Sequence, residues 1–580
     1  MNIFKKFFIV FNIFVSFFLV THLSFVKAVD RSDRLIMTMD HQKVPDPTNW
    51  NYFAPNANTS AGGHQGILEY LFYFNLETGE LLPWLGKSFK YNKDFTELIV
   101  NLRNDAYWND GNPFSADDVV FTINMLINGP DTLSWGPRIK DSVKEIIKIN
   151  NSTVKFVLNK ADPLFANQKL IVEIWGALPV VPKHIWSKVD PATFKNYDPN
   201  GDPKVIGSGP YLLESAKTDQ IILKRDDNWW GAKTGFKPLP QPKQIVWIGG
   251  TEESRAALMA SGQLDSGGYI SRGTFEVINK QNPNVKAWHN SLPFAWMEPV
   301  PLYLGINNLN PPWDDPEMRW ALNHALDRKE MALIAWEGIA TPVRSIFAET
   351  APLLKFVNDN EDLFKKYPLE EFNLDKTAKI LKAKGYTREG KGFWKDSNGN
   401  TIKVKVDAAA PWVEQKKLGL IIGEQLIRAG FDSSVRVMEA AHWNEMYKTG
   451  ESDVWPHWIV ASADNPYPYL DWYHSKWFTP NGKSAQGLAS HRWKNKEFDM
   501  ILDKMSVLTT KDEKFWKYGR QALEIYMKEI PTIPTTSQPA LLPYDHTYWT
   551  NWPTADNNWI QPYYQCGTAL PMIVGIKKAK

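Results

Sequence analysis

The chain has 580 residues, 43% of them apolar and 22% charged. That is too long for one ordinary core and too apolar for a disordered chain, so two or more domains are expected. A formal charge of +2 excludes the strongly basic balance of a nucleic-acid binder, and one cysteine, Cys566, excludes an intrachain disulfide and a cysteine metal cluster.

Residues 1–28 read as an export signal. Lys5 and Lys6 precede an apolar run from Phe7 to Val20, and Val26-Lys27-Ala28 offers small residues for cleavage. The run is shorter than the ~20 residues a membrane-spanning helix needs. Cleavage would leave 63 basic and 64 acidic residues, a charge of −1. No cysteine follows the cleavage site for lipid attachment, so a protein diffusing freely in the periplasm is expected.

Arg34 to Met39 reads as a first strand, leading into the polar, aromatic loop Asp46 to Pro55, which contains Trp50 and Tyr52. Residues 64–82 pattern as an amphipathic helix and a hairpin through Ile67, Leu68, Leu71 and Phe72. Leu98–Leu102 and Val154–Leu158 alternate as strands. Between them stands Trp108-Asn-Asp-Gly-Asn-Pro-Phe-Ser115-Ala-Asp-Asp-Val-Val-Phe121. It is a turn feeding a helix, with Ser115 as N-cap and Asp117 and Asp118 at the positive end of the helix dipole.

Val205-Ile-Gly-Ser-Gly-Pro-Tyr211 marks a tight turn into a strand paired with Ile221–Arg225. It lacks the third glycine of a nucleotide loop, and Pro210 stands where the helix should begin. The helix at Ala256 ends at Gly262, a C-cap. Leu302-Tyr-Leu-Gly-Ile306 is a further strand. Asp314 to Arg328 is a helix with Pro316 in its first turn and Met318, Leu322, Ala325 and Leu326 on one face. A helix at 375–385, a strand at Ile402–Val406 running into Ala408-Ala-Ala-Pro-Trp412, a helix at 421–429 and the segment Trp455–Ile459 follow. The chain then reaches Ala463-Asp464-Asn-Pro-Tyr-Pro-Tyr-Leu470 and a closing helix and strand at Glu524–Pro534.

The 108–121 motif, the Val-x-Gly-Ser-Gly-Pro-Tyr return, Leu223 to Gly231, the helix end Ala256–Asp265, and the helix 314–328 occur in one unbroken order. In that order they resemble the family 5 extracytoplasmic solute-binding proteins, the oligopeptide- and dipeptide-binding subunits of ABC importers. The resemblance implies a cluster-C, type II-like periplasmic-binding-protein fold: two α/β lobes with an additional α+β subdomain in the first. Its boundaries would be 1–28 signal peptide, 29–70 first lobe, 71–204 inserted subdomain, 205–300 first lobe, 301–510 second lobe and 511–580 first lobe again. It also implies permease subunits in the inner membrane with cytoplasmic ATPases as partners, and a monomer without cofactor, metal or catalysis.

In this family Asp464 stands where peptide-binding members hold the α-ammonium, and a carboxylate there would make charge-assisted hydrogen bonds. The same residue could instead cap the Asn-Pro-Tyr-Pro turn. Some members of the family it resembles bind oligosaccharides such as cellobiose through Trp-rich clefts, and the 26 Trp here are in keeping with that. The expected ring walls are Trp412, Trp455 and Trp458, with Trp296, Trp50 and Tyr52 opposite, though core packing explains any one of them as well. A secreted glycosidase with two carboxylates is the rival of another class. Gly-x-Ser-x-Gly, His-Glu-x-x-His and Cys-x-x-Cys do not occur, and Gly482-Lys483-Ser484 lacks the first glycine of a phosphate loop.

Overall fold

The computed structural model describes residues 29–580 apart from 40–42, 45, 55–62, 174–175, 460–461, 463, 486–488 and 563–566. The expected signal segment, Cys566 and Ala463 lie outside the described residues.

Three sheets organise the chain. The first has the order Arg34–Thr38, Gln244–Ile248, Gln220–Arg225, Tyr211–Ala216. Only its outer pair, 34–38 with 244–248, is parallel. Leu35, Met37, Leu213, Leu223 and Trp247 point into its core, which also holds Trp549 and Trp552.

Between the first and second strands of that sheet the chain builds a unit with its own core. Four antiparallel strands, Gly86–Tyr91, Glu97–Leu102, Thr153–Leu158 and Val143–Asn150, form its sheet. The helix Ala116–Asn128 buries Val119, Ile123 and Leu126 together with Leu98, Val100 and Phe156 of that sheet. Ser115 caps the helix as expected. Its backbone N–H donates to Asp118 Oδ2 at 2.8 Å, and its Oγ accepts from the Asp117 N–H at 3.2 Å.

Residues 64–72 do not form the expected amphipathic helix. They make one 3₁₀ turn, Gly63–Gly66, then run extended into the hairpin Phe72–Asn75 and Glu80–Pro83. The reason is two-sided burial: Ile67 packs in the first sheet's core while Leu68, Leu71 and Phe72 pack in the inserted core. The returning chain is pressed against this segment. Ser208 and Gly209 both donate their N–H groups to Ile67 O, at 3.1 and 2.8 Å. A Cβ on Gly207 would sit 2.2 Å from that same backbone oxygen. Gly207→Ala must therefore move backbone, and we expect it to cost about 2–3 kcal/mol. A thermal midpoint unchanged from wild type would contradict this contact.

Glu69 lies at the same junction, fully buried. Its Oε1 accepts from the indole N–H groups of Trp84 at 2.7 Å and Trp229 at 3.2 Å, and its Oε2 from Trp230 at 2.7 Å. One carboxylate thus ties the inserted unit, through Trp84, to Trp229 and Trp230, which follow the first sheet's last returning hairpin.

The second lobe holds a five-stranded sheet in the order Asp432–Met438, Lys403–Ala409, Val454–Trp458, Leu302–Ile306, Thr532–Pro534. The helix Val413–Ala429 starts earlier than expected and ends at Gly430, whose φ of +95° makes the left-handed cap. Two short strands, Trp296–Glu298 and Gln538–Ala540, pair antiparallel just outside this sheet. They are the two connections between the lobes, running side by side.

One boundary expectation is corrected by this sheet. The helix Glu513–Glu529 and the strand Thr532–Pro534 belong to the second lobe rather than to a first-lobe segment beginning at 511. Phe515, Leu523, Met527 and Ile533 pack in the second lobe's core, and Ile533 pairs with Leu304. The chain returns to the first lobe only after Pro534. Among the described residues no helix is long and apolar enough to cross a membrane.

Candidate functional site

The central strand of the second lobe, Val454–Trp458, ends at the face that looks toward the inserted unit. Beyond it come Ser462, Asp464 and Asn465, then the short helix Tyr467–Asp471. Facing them are the helix Gly136–Ser142 and the segment from Lys160 to Gly176 of the inserted unit. A cavity of about 280 Å3 separates the two walls.

Two of the expected residues, Asp464 and Trp458, line this cavity together. Asp464 Oδ1 accepts from Ser462 Oγ at 3.0 Å and from Asn465 Nδ2 at 2.7 Å. Both donors are side chains of its own loop, and the N–H of the Asn-Pro-Tyr turn, that of Tyr467, is accepted by Asn465 Oδ1 at 3.0 Å rather than by Asp464. The two bonds to Asp464 engage only one of its two oxygens, and the side chain is half-buried.

The remaining rings do not reach the cavity. Trp412 stands behind Trp458, edge-on at 5.3 Å between ring centres, and Trp443 lies edge-on to Trp412 at 5.6 Å. Trp455 is buried in the strand, stacked on Tyr447 at 5.6 Å and pressed against Gly305, where a Cβ would meet it at 2.4 Å. Trp296 sits in the strand that joins the lobes and donates to Glu77 Oε1 at 2.8 Å. Trp50 is buried in the first lobe's core with its indole N–H on Pro47 O, and Tyr52 is buried in the inserted core against His64. In this structure core or joint packing holds these five, and none of them lines this cavity. At least ten of the 26 Trp are under 2% exposed, so most of the excess serves burial.

Trp135, Trp472 and Trp477 supply further rings. Trp135 holds φ at +73°, a conformation uncommon for a side chain of its size. Asp471 is enclosed by donors: Tyr467 Oη at 3.0 Å, Trp477 Nε1 at 3.3 Å and Lys476 Nζ at 3.0 Å. Burial would raise its carboxyl, but Lys476 and these donors hold it below the usual range. Burial, and after it the nearby Arg138, pushes the Lys169 ammonium down to about 7. Burial lowers the Arg138 guanidinium and raises the Asp162 carboxyl. The cavity thus has rings on both walls and charges of both signs. Among the described residues no group of three or more His, Cys, Asp or Glu side chains could hold a metal ion.

Comparison with known proteins places this geometry. The profile of the bacterial extracellular solute-binding proteins, family 5 (middle), matches residues 80–480. The nickel-binding periplasmic protein of Escherichia coli is 22% identical over 471 residues, 79% of this chain and 81% of that protein. Heme-binding protein A of Haemophilus influenzae is 23% identical over 504 residues, 83% of each chain. Among solved structures, a mannohexaose-bound periplasmic oligopeptide-binding protein of an ABC transporter from Thermotoga maritima superposes with a TM-score of 0.83. It is 24% identical and covers 95% of this chain and 99% of that one. The oligopeptide-binding protein AppA of Bacillus subtilis, in complex with a nonapeptide, gives 0.74 at 18% identity over 94% and 99%. These likenesses establish the two-lobed α/β fold.

Proposed function

From the premise that the chain belongs to the family 5 bacterial extracellular solute-binding proteins, we propose that it is the exported receptor subunit of an ABC importer. It captures a short oligomeric solute of the oligopeptide type and delivers it to permease subunits whose ATPases drive transport. The observation that carries the reading is the cavity between the inserted unit and the second lobe, with Asp464 presenting an unengaged carboxylate oxygen at its edge. An α-ammonium placed there gains charge-assisted hydrogen bonds without breaking the bonds that Oδ1 accepts from Ser462 and Asn465. The volume is at the small end of ligand pockets, roughly 300–1,000 Å3, which favours a short peptide.

A second reading has its own support. Trp135, Trp458, Trp472 and Trp477 surround the same space, and rings of this kind can stack on sugar faces. The Thermotoga maritima protein named above was solved with mannohexaose. In either reading the solute favours the closed arrangement only by binding it better than the open one.

Intrinsic tryptophan fluorescence of the mature protein separates the two. Di- to tetrapeptides are expected to give a saturable change, because the rings that move on closure line the site. A response to β-linked oligosaccharides alone would transfer the protein to the second reading. Hydrolysis of the oligosaccharide during the titration would overturn both in favour of a glycosidase.

A further inference from the structure

Four basic side chains line the cavity: Arg138, Lys160, Lys169 and Lys476. Two are already matched. Lys476 lies 3.0 Å from Asp471 and 3.7 Å from Asp141, and Lys160 lies 3.8 Å from Asp503. Among the described residues Arg138 and Lys169 form no ion pair, although Lys169 is only 6% exposed. A buried ammonium without a counter-ion is costly: it gives up its proton more readily, as Lys169 does, and an arriving anion would restore its charge.

The neighbouring hydrogen bonds point the same way. Lys169 Nζ makes one bond, to Gln168 Oε1 at 3.2 Å. The other end of that amide, Gln168 Nε2, is buried with no acceptor. Arg138 is held by rings rather than by a carboxylate, 4.9 Å from the centre of Trp135 and 5.8 Å from that of Trp472. The acids nearby do not substitute for the missing partner. Of the five acids in the lining, Asp141 is paired with Lys476 and Asp471 is committed to its three donors; Asp162, which accepts from the Leu164 N–H at 3.1 Å, lies like Glu173 and Asp464 outside ion-pair distance of either cation.

We propose that Arg138, Lys169 and Gln168 form a carboxylate subsite on the inserted unit's wall of the cavity, opposite Asp464, so that the imported solute carries a carboxylate. Two acceptor oxygens answer the open donors of a guanidinium, an ammonium and an amide at once. A peptide's α-carboxylate and a uronate of an acidic oligosaccharide present the same group. The inference rests on the reading of this cavity as the solute site.

Calorimetric titration with four probes tests it: tetraalanine, tetraalanine amide, trigalacturonate and its trimethyl ester. In whichever class binds, the free acid is expected to bind about ten-fold or more tightly than its neutralised form. Lys169→Met and Arg138→Gln should each bring that ratio toward one, and Lys169→Arg should restore part of it. Circular dichroism melts confirm that the variants are folded. Equal affinity for acid and neutral forms in the wild type overturns the subsite and leaves the solute site standing. A preference that persists in both Lys169→Met and Arg138→Gln also overturns it. Failure of all four probes to bind removes the solute-site reading and the subsite with it. Preference within the peptide pair identifies an α-carboxylate, and preference within the galacturonate pair identifies a uronate.

Discussion

Asp464→Asn should keep the melting temperature of the wild type and lose about 30- to 100-fold in affinity for unblocked peptides. The asparagine retains an oxygen in the Oδ1 position, so the bonds from Ser462 Oγ and Asn465 Nδ2 survive. What it removes is the charge. Truncating one side of a partly buried, hydrogen-bonded ion pair costs about 2–3 kcal/mol at the low end of the measured range, which converts to the stated factor. The low end applies because Asp464 is only half-buried. N-acetylated peptides supply the complementary measurement. They should bind the wild type as weakly as unblocked peptides bind the variant, and they should not distinguish the two proteins. If Asp464→Asn instead lowers the melting temperature and leaves peptide affinity intact, Asp464 holds its own loop and nothing more.

The second large effect concerns Glu69. Burial raises its carboxyl from 4.5 to about 7, against the pull of the indole donors Trp84, Trp230 and Trp229. The folded protein therefore holds a proton that the unfolded chain releases near 4.5. The associated stability is fully present below that pH and is lost as pH rises through about 7. At 1.36 kcal/mol per unit the loss is on the order of 3 kcal/mol. Glu69→Gln removes the titration, so its stability should fall less than that of the wild type between pH 4.5 and 8 in denaturant unfolding. Glu69→Ala should cost about 4 kcal/mol near pH 4.5, because three buried N–H groups lose their acceptor beside a new cavity, and less as pH rises through 7 and the wild type gives up its own titration-linked stability. A Glu69→Gln protein with the wild-type pH profile would mean that Glu69 is ionised when folded and that the three indoles outweigh burial.

Much of this architecture is legible in the residues themselves. Ser115 with Asp118, the strands at 34–38 and 221–225, and the glycine at 262 are written in local patterns, and local chemistry is what one sequence carries. The segment 64–72 misled because its apolar spacing fits a helix, yet its apolar side chains divide between two cores. The strand at 532–534 misled because its partner, Leu302–Ile306, lies more than 200 residues earlier. The site was half legible. Asp464 and Trp458 stand out through the aromatic segment that carries them, whereas Arg138 and Lys169 are basic residues with no local motif, one in the helix Gly136–Ser142 and one in the π-helical turn Ala166–Leu170. Only folding shows that one wall leaves them unmatched. Tryptophan content was the weakest guide, since the same ring serves a core and a wall equally well.

The inserted unit has its own sheet and its own core, and the lobes are joined elsewhere, through Trp296–Glu298 and Gln538–Ala540. In the solute-site reading, one wall of the cavity and the joint between the lobes are therefore carried by separate pieces of chain. A lineage could exchange the residues of the inserted wall and alter that half of the site while the joint stays as it is. The same division recommends this insert as the cassette to randomise in building a sensor, with the joint left as it is.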